Sequence, residues 1–201
     1  IGAEDGPVDY YIIAGPSVAE VVRRYTALTG RAPLPPRWVL GYQQSRWSYM
    51  SEQEVRDLAA RLRKERVPTD VIWLDIDFQD RNRPFTVDRK TFPHFEAMIG
   101  DLAAQGIHTV AITDLHVAAL PGQNYAPYDT GIAGNHFLHN PDGSLYVGPV
   151  WPGPSVFPDF TRAETREWWG RLFADLDKAG VAGIWNDMNE PAIFDTPTKT
   201  M

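Results

Sequence analysis

The sequence predicts an α/β fold built on a parallel sheet, and three observations carry that reading. Short apolar runs alternate four times with segments of helical period. The runs are nearly continuous in hydrophobicity, as strands covered on both faces are. Polar residues crowd the C-terminal end of each: Gln43, Gln44 and Arg46 after the first, Asp75 and Asp77 at the second, Asp114 and His116 at the third, Asp187, Asn189 and Glu190 at the fourth. A doubly wound sheet and a (β/α)₈ barrel both fit this order. The first strand–helix junctions lack a Gly-x-Gly-x-x-Gly turn, which counts against a nucleotide site, and a polar C-terminal rim is where barrels build active sites.

The elements follow from local patterns. Residues 9–14, Asp-Tyr-Tyr-Ile-Ile-Ala, are aromatic and β-branched and stop at Gly15-Pro16, which predicts a strand with no local partner. Val18, Val21, Val22, Tyr25 and Leu28 then fall on one helical stripe, opened by a capping box of Ser17 and Glu20 and closed by Gly30. A stiff Pro-rich connector covers residues 32–36. Residues 38–42 read as the first strand of the repeat. Ser51 and Glu54 form a second capping box, for a helix with Val55, Leu58, Ala59 and Leu62 inward. Residues 70–78 read as a buried strand, 95–105 as a helix ending at Gly106, and 109–113 as a third strand. Residues 115–160, rich in Gly, Pro, Asn and aromatics, read as a long loop. Thr161 and Glu164 make a third capping box for a helix carrying Trp168, Trp169, Leu172, Phe173 and Leu176, and residues 181–185 form the fourth strand.

Composition removes several classes of function. With 43% hydrophobic and 22% charged residues, the 201-residue chain lies with globular domains, away from disordered ones. The absence of Cys excludes disulfides, thiolate metal sites and a Cys nucleophile, and leaves the compartment open. A net charge of −7 without a basic cluster argues against nucleic acid. No apolar run nears the roughly 18 residues of a membrane span, so no membrane partner is expected. The first residue is Ile rather than Met, and no signal peptide is visible; the chain reads as processed or as an excerpt.

Alternation within strands separates the faces. Val71, Trp73, Asp75 and Asp77 share one face of the second, with Ile72, Leu74 and Ile76 on the other; Val110, Ile112 and Asp114 align in the third, and Trp185, Asp187 and Asn189 in the fourth. An Asp at a strand end also serves as a helix N-cap, so each carboxylate alone has a bland reading. Four strands ending alike favour a shared site. Trp168 and Trp169 sit at helix spacing and read as core, whereas Trp151, in a loop, suits stacking on the apolar face of a sugar. An Asp114–His116 metal pair with His136 and His139 is a competing reading, for which the loop shows no helix to align the imidazoles.

Gly183-Ile-Trp-Asn-Asp-Met-Asn-Glu190 resembles the signature of glycoside hydrolase family 31, the retaining α-glucosidases. So, in the family's order, do Gly41-Tyr-Gln-Gln-Ser-Arg-Trp-Ser-Tyr49, Trp73-Leu-Asp-Ile-Asp-Phe78, Phe85-Thr-Val-Asp-Arg-Lys-Thr-Phe-Pro93, Val150-Trp-Pro-Gly153 and Phe157-Pro-Asp-Phe-Thr161. The resemblance implies a (β/α)₈ TIM barrel, of which residues 37–201 cover about the first four βα units. A β-sandwich domain would precede it, with its last strand within residues 1–15, and residues 16–36 would form the link. It implies Asp187 as catalytic nucleophile, with Asp75, Ile76, Ile112, Trp151, Trp185 and Met188 around the glucose. The substrate would be an α-linked oligosaccharide or glucoside cleaved at its non-reducing end, with no cofactor and no metal. One block departs, Asp114-Leu-His-Val117 standing where the family has Asp-Pro-His-Ile.

A retaining glycosidase needs a second carboxyl as proton donor, about 5–5.5 Å from the nucleophile. Glu190 has the wrong strand parity for that role, and the family's acid/base lies well beyond the nucleophile, outside this chain. The chain alone is therefore expected to be inactive and prone to aggregate through its open sheet edges. Related activities on the same scaffold (α-xylosidase, α-glucan lyase, transglucosylase) and a non-catalytic carbohydrate-binding barrel are the alternatives.

Overall fold

The computed structural model describes residues 9–194, and the chain divides into two units, residues 1–36 and 37–201. In the first, α1 (Val18–Thr29) starts where the Ser17 hydroxyl accepts the Glu20 N–H at 3.3 Å. The Glu20 carboxylate turns instead to Arg23 and Arg24, so only half of the predicted capping box forms. Residues 9–14 form no strand, contrary to the sequence pattern. A strand needs a neighbour for its N–H and C=O groups, and the described residues provide none. Tyr10, Tyr11, Ile12 and, on the α1 stripe, Val18, Val22, Tyr25 and Leu28 stay exposed, with Val21 half-buried.

The second unit carries the repeat. Its strands β1 (Tyr42–Gln44), β2 (Thr69–Leu74), β3 (His108–Asp114) and β7 (Gly183–Asp187) form one parallel sheet in the order β1-β2-β3-β7. Helix α2 (Glu52–Lys64) links the first pair and α3 (Phe95–Ala104) the second; α5 (Ala163–Leu172) and α6 (Ala174–Lys178) precede β7. The core lies between sheet and helices. Ile72 and Leu74 of β2, Ala111 of β3, Val55 and Ala59 of α2, and Phe95, Met98, Ile99 and Leu102 of α3 are all buried there. That is the helix-facing set that strand parity predicts for β2.

Several predicted boundaries move. Residues 37–40 form a 3₁₀ turn, and β1 begins only after Gly41, whose Cβ, if present, would lie 1.8 Å from Asp70 Oδ2. The second strand stops at Leu74, because Asp75 accepts the Ile76 N–H at 2.7 Å and starts a 3₁₀ turn over Ile76–Phe78. Asp77 thereby leaves the face it was predicted to share with Asp75. At α5, Thr161 bonds to Asp159 and Arg162 pairs with Glu164, so the third capping box does not form. The supposed loop 115–160 contains a helix, α4 (Ala126–Ala133), and a small antiparallel sheet of β4 (Val117–Ala118), β5 (Val147–Val150) and β6 (Gly153–Val156) in the order β4-β6-β5. Trp168 is buried against this layer with Tyr125, Phe137 and Val156, and Trp169 packs partly buried beside them.

Candidate active site

At the C-terminal ends of β2, β3 and β7 the chain encloses a cavity of about 230 Å³. Its floor is acidic. Asp187 ends β7, Asp114 ends β3 opposite it in register, and Asp75 follows β2. Ile76, Ile112 and Met188 supply apolar lining, and Trp151 and Trp47 close the mouth. Larger openings occur elsewhere, such as one of about 530 Å³ lined by Asp80, Arg81, Asp88 and Arg89. Arg81 there is paired with Asp80 and Arg89 with Glu96, so its charges are already matched.

Local structure positions each lining group. Asp187 accepts the N–H of Met188 at 2.9 Å, and Met188 adopts a left-handed backbone at φ +57°, turning the chain directly after the strand. A non-glycine residue in that region costs on the order of 1 kcal/mol and tends to mark functional turns. The carbonyl of Ile112 accepts the amide N–H of buried Gln79 at 3.2 Å, which ties β3 to the turn after β2. Trp151 occupies the turn between β5 and β6 rather than a loop. Its ring meets Phe194 edge-on at 4.8 Å and Trp47 at 5.9 Å, and it remains 43% exposed.

The carboxyls differ in environment. Burial lifts the Asp75 carboxyl above its ordinary value against the pull of the Ile76 N–H, with Asp77 and Asp187 adding repulsion. Asp114, 1% exposed, is pushed up to about 7 by burial first and then by Asp187 and Asp75. Both of its oxygens lack a hydrogen-bond partner among the described residues. Such a floor suits a ligand rich in hydroxyl donors, because each donor satisfies an acceptor that would otherwise be buried unpaired.

Of the residues singled out in the sequence, Asp187, Asp75, Ile76, Ile112, Trp151 and Met188 converge on this cavity. Trp185 does not line it. Two residues before Asp187, it is half-buried with its ring edge-on to Trp73 at 5.9 Å. Glu190 is exposed and also outside the lining. Two lining residues lie outside the sugar-contacting set the resemblance implies: Asp114, which the sequence offers as a rim carboxylate or a metal ligand, and Trp47. Asp114 was detectable from its alignment with Ile112, whereas Trp47 follows a three-residue strand and carries no periodic signal. The alternative metal set is not assembled. His136 bonds to Thr165 at 3.2 Å and stacks on Trp168, and no group of three His, Asp or Glu suited to a metal occurs among the described residues.

A parallel βα sheet with carboxylates gathered at its C-terminal rim is the arrangement on which α/β proteins build their sites, barrels among them. Residues 32–201 match the description "Glycosyl hydrolases family 31 TIM-barrel domain", and the chain belongs to that family. It is 48% identical over 199 residues to "Alpha-glucosidase 2" of Bacillus thermoamyloliquefaciens, covering 99% of this chain and 25% of that protein. Against human "Neutral alpha-glucosidase AB" the identity is 39% over 202 residues, covering 99% and 21%. Among solved structures, a glucosidase II alpha subunit superposes with a TM-score of 0.84 at 38% identity, covering 93% of this chain and 20% of that one. A family 31 alpha-glucosidase from Bacteroides thetaiotaomicron gives 0.79 at 42% identity, covering 87% and 30%. The chain thus spans about a quarter of the length of the curated relatives it matches.

Proposed function

We propose that this chain forms the N-terminal half of the catalytic barrel of a retaining α-glucosidase, with Asp187 as nucleophile. The observation that carries the reading is the convergence of Asp187 and Asp75 on one cavity with apolar and aromatic walls, in a member of this family. A cavity of about 230 Å³ has room for a small polar ligand on the scale of a sugar ring. Asp75 accepts hydrogen bonds from ring hydroxyls, Ile76, Ile112 and Met188 pack on the C–H faces, and Trp151 stacks at the mouth.

In the first step an Asp187 oxygen bonds to the anomeric carbon as the glycosidic C–O bond breaks, and the leaving oxygen takes a proton from an acid carried elsewhere in the complete enzyme. Water then cleaves the glycosyl ester with that same group acting as base, so configuration is retained. Positive charge developing on the sugar is stabilised by the adjacent carboxylates. No metal takes part in this scheme. The Asp75-Ile76-Asp77 run favours glucosidase over xylosidase activity, by analogy with the family.

The test is trapping in the complete enzyme. A 2-deoxy-2-fluoro-glucosyl fluoride of α configuration should label Asp187, and Asp187→Ala should abolish turnover. Labelling of another residue, or unchanged turnover in that variant, refutes the assignment; binding of maltose without turnover by the intact enzyme would favour a non-catalytic barrel. A preferred α-xyloside, an unsaturated product or glucosyl transfer would redirect the reading to the related activities.

A further inference from the structure

We infer that Gln79 is a positioning residue for the sugar pocket: its backbone N–H and its side-chain amide fasten the Ile76 wall to the Ile112 wall and so fix the turn that carries Asp75. This rests on the reading of Asp75 as the group that receives the sugar hydroxyls. Ile76 and Ile112 line the cavity from neighbouring segments of the sheet, yet the strand ladder does not reach them. Pairing of β2 with β3 ends at Leu74 and Ala111, because after Asp75 the chain leaves β2 for the 3₁₀ turn over Ile76–Phe78. Gln79 crosses the gap. Its N–H donates to the Ile76 carbonyl at 3.0 Å, which closes the turn, and its side-chain Nε2 donates to the Ile112 carbonyl at 3.2 Å. With the Ile76 N–H donating to Asp75 Oδ1 at 2.7 Å, hydrogen bonds run residue by residue from the Asp75 carboxylate to β3.

The residue type fits the task. Gln79 is 3% exposed, so residues of this chain already enclose it. A buried carbonyl needs a donor, and an amide supplies one through its nitrogen without setting a charge beside the carboxylates. The turn is held from two sides. Phe78 is buried in the core, where it stacks on Phe95 of α3 at 5.5 Å, and its carbonyl accepts the Asp88 N–H at 2.8 Å. Gln79 makes the attachment to β3. Removing its amide frees that side while leaving the Phe78 anchor in the core. Gln79 does not line the cavity, so it touches no sugar and acts through Asp75 and the two isoleucines. Asp187 ends β7, which carries none of these bonds.

The test is a double-mutant cycle in the complete enzyme. Gln79→Leu keeps similar bulk and removes the donor. The Kd for D-glucose, followed by tryptophan fluorescence, should rise about tenfold, the weakening expected of one hydrogen bond to a carboxylate. KM for maltose should rise by about the same factor with kcat changed less than about threefold, because Asp187 keeps its place. In an Asp75→Ala background the same substitution should cost less than about threefold in glucose affinity, since no carboxylate remains to be misplaced. A loss of about tenfold repeated in that background would make Gln79 a structural group only and overturn the proposal. Wild-type glucose binding by Gln79→Leu, or a loss confined to kcat, overturns it as well. If Gln79→Leu shows no melting transition, Gln79→Asn, whose amide is one methylene short of the Ile112 carbonyl, takes its place in the cycle. Asp75→Ala alone separates the two readings. An unchanged Kd there refutes Asp75 as the sugar-binding group, whereas a raised Kd there with none in Gln79→Leu refutes only the role of Gln79.

Discussion

Two glycines in helices of similar length should respond in opposite ways to the same substitution. An alanine in a helix interior is favoured over glycine by roughly 1 kcal/mol. At Gly100 in α3 nothing lies within 4 Å of the added Cβ and the site is exposed, so Gly100→Ala should gain about that amount. At Gly131 in α4 the added Cβ would lie 2.2 Å from Phe137 Cζ and 2.5 Å from Cε2. Phe137 is 2% exposed and wedged between Tyr128 at 6.1 Å and Trp168 at 5.7 Å, so it has little room to withdraw. Overpacking of this kind costs about 1–3 kcal/mol, which offsets or exceeds the helical gain, and Gly131→Ala should lose up to about 2 kcal/mol net. Thermal unfolding of the complete enzyme, both variants side by side, reads the difference. A Gly131→Ala protein that melts above wild type would show that the layer beneath α4 yields, contrary to the packing described.

Three further outcomes are expected. His116 is held near 4 when folded against about 6.5 unfolded, so its own contribution to stability rises with pH across that window, while Asp114, raised to about 7, contributes a fall over the same range. His116→Gln should remove the first contribution and make the slope of stability against pH more negative in urea titrations between about pH 4 and 6.5; an unaltered slope would mean that His116 does not titrate there. Phe95 is fully buried and stacks on Phe78 at 5.5 Å; Phe95→Ala should cost about 3–5 kcal/mol in denaturant unfolding, and a loss below about 1 kcal/mol would contradict its place in the core. Trp151→Ala should raise KM about tenfold with a smaller change in kcat, since it removes stacking without touching the floor; an unchanged KM would take Trp151 out of the binding wall.

What could be read from the sequence divides along physical lines. Helices α2 and α3 and strands β2 and β3 were legible because buried apolar residues recur at fixed periods, and the parity that sent Ile72 and Leu74 under the helices placed Asp75 at the rim. Parity failed at Asp77 because Asp75 caps its own backbone, a side-chain choice that no periodicity records. The capping box at Thr161 failed for a similar reason, since Asp159 claims the hydroxyl first. Helix α4 and the small sheet escaped notice because Gly131, Pro149 and Pro154 read as loop punctuation, while tertiary contacts with Phe137, Phe157 and Trp168 decide their conformation. Residues 9–14 have strand composition and no strand, which shows that β-propensity needs a partner before it becomes structure.

The floor and the wall of the cavity rest on different foundations. Asp75 and Asp187 stand on a sheet buttressed by α2 and α3, whereas Trp151 sits on a hairpin packed over Val150, Phe157 and Ile193, a cluster that Met188 also touches. Leu115, just beyond β3, packs against the same cluster. Substitutions in the hairpin can therefore reshape the cavity wall one residue at a time, reaching the floor mainly through Met188. A new substrate preference in this lineage should leave its substitutions between β3 and β7 and few in the strands themselves.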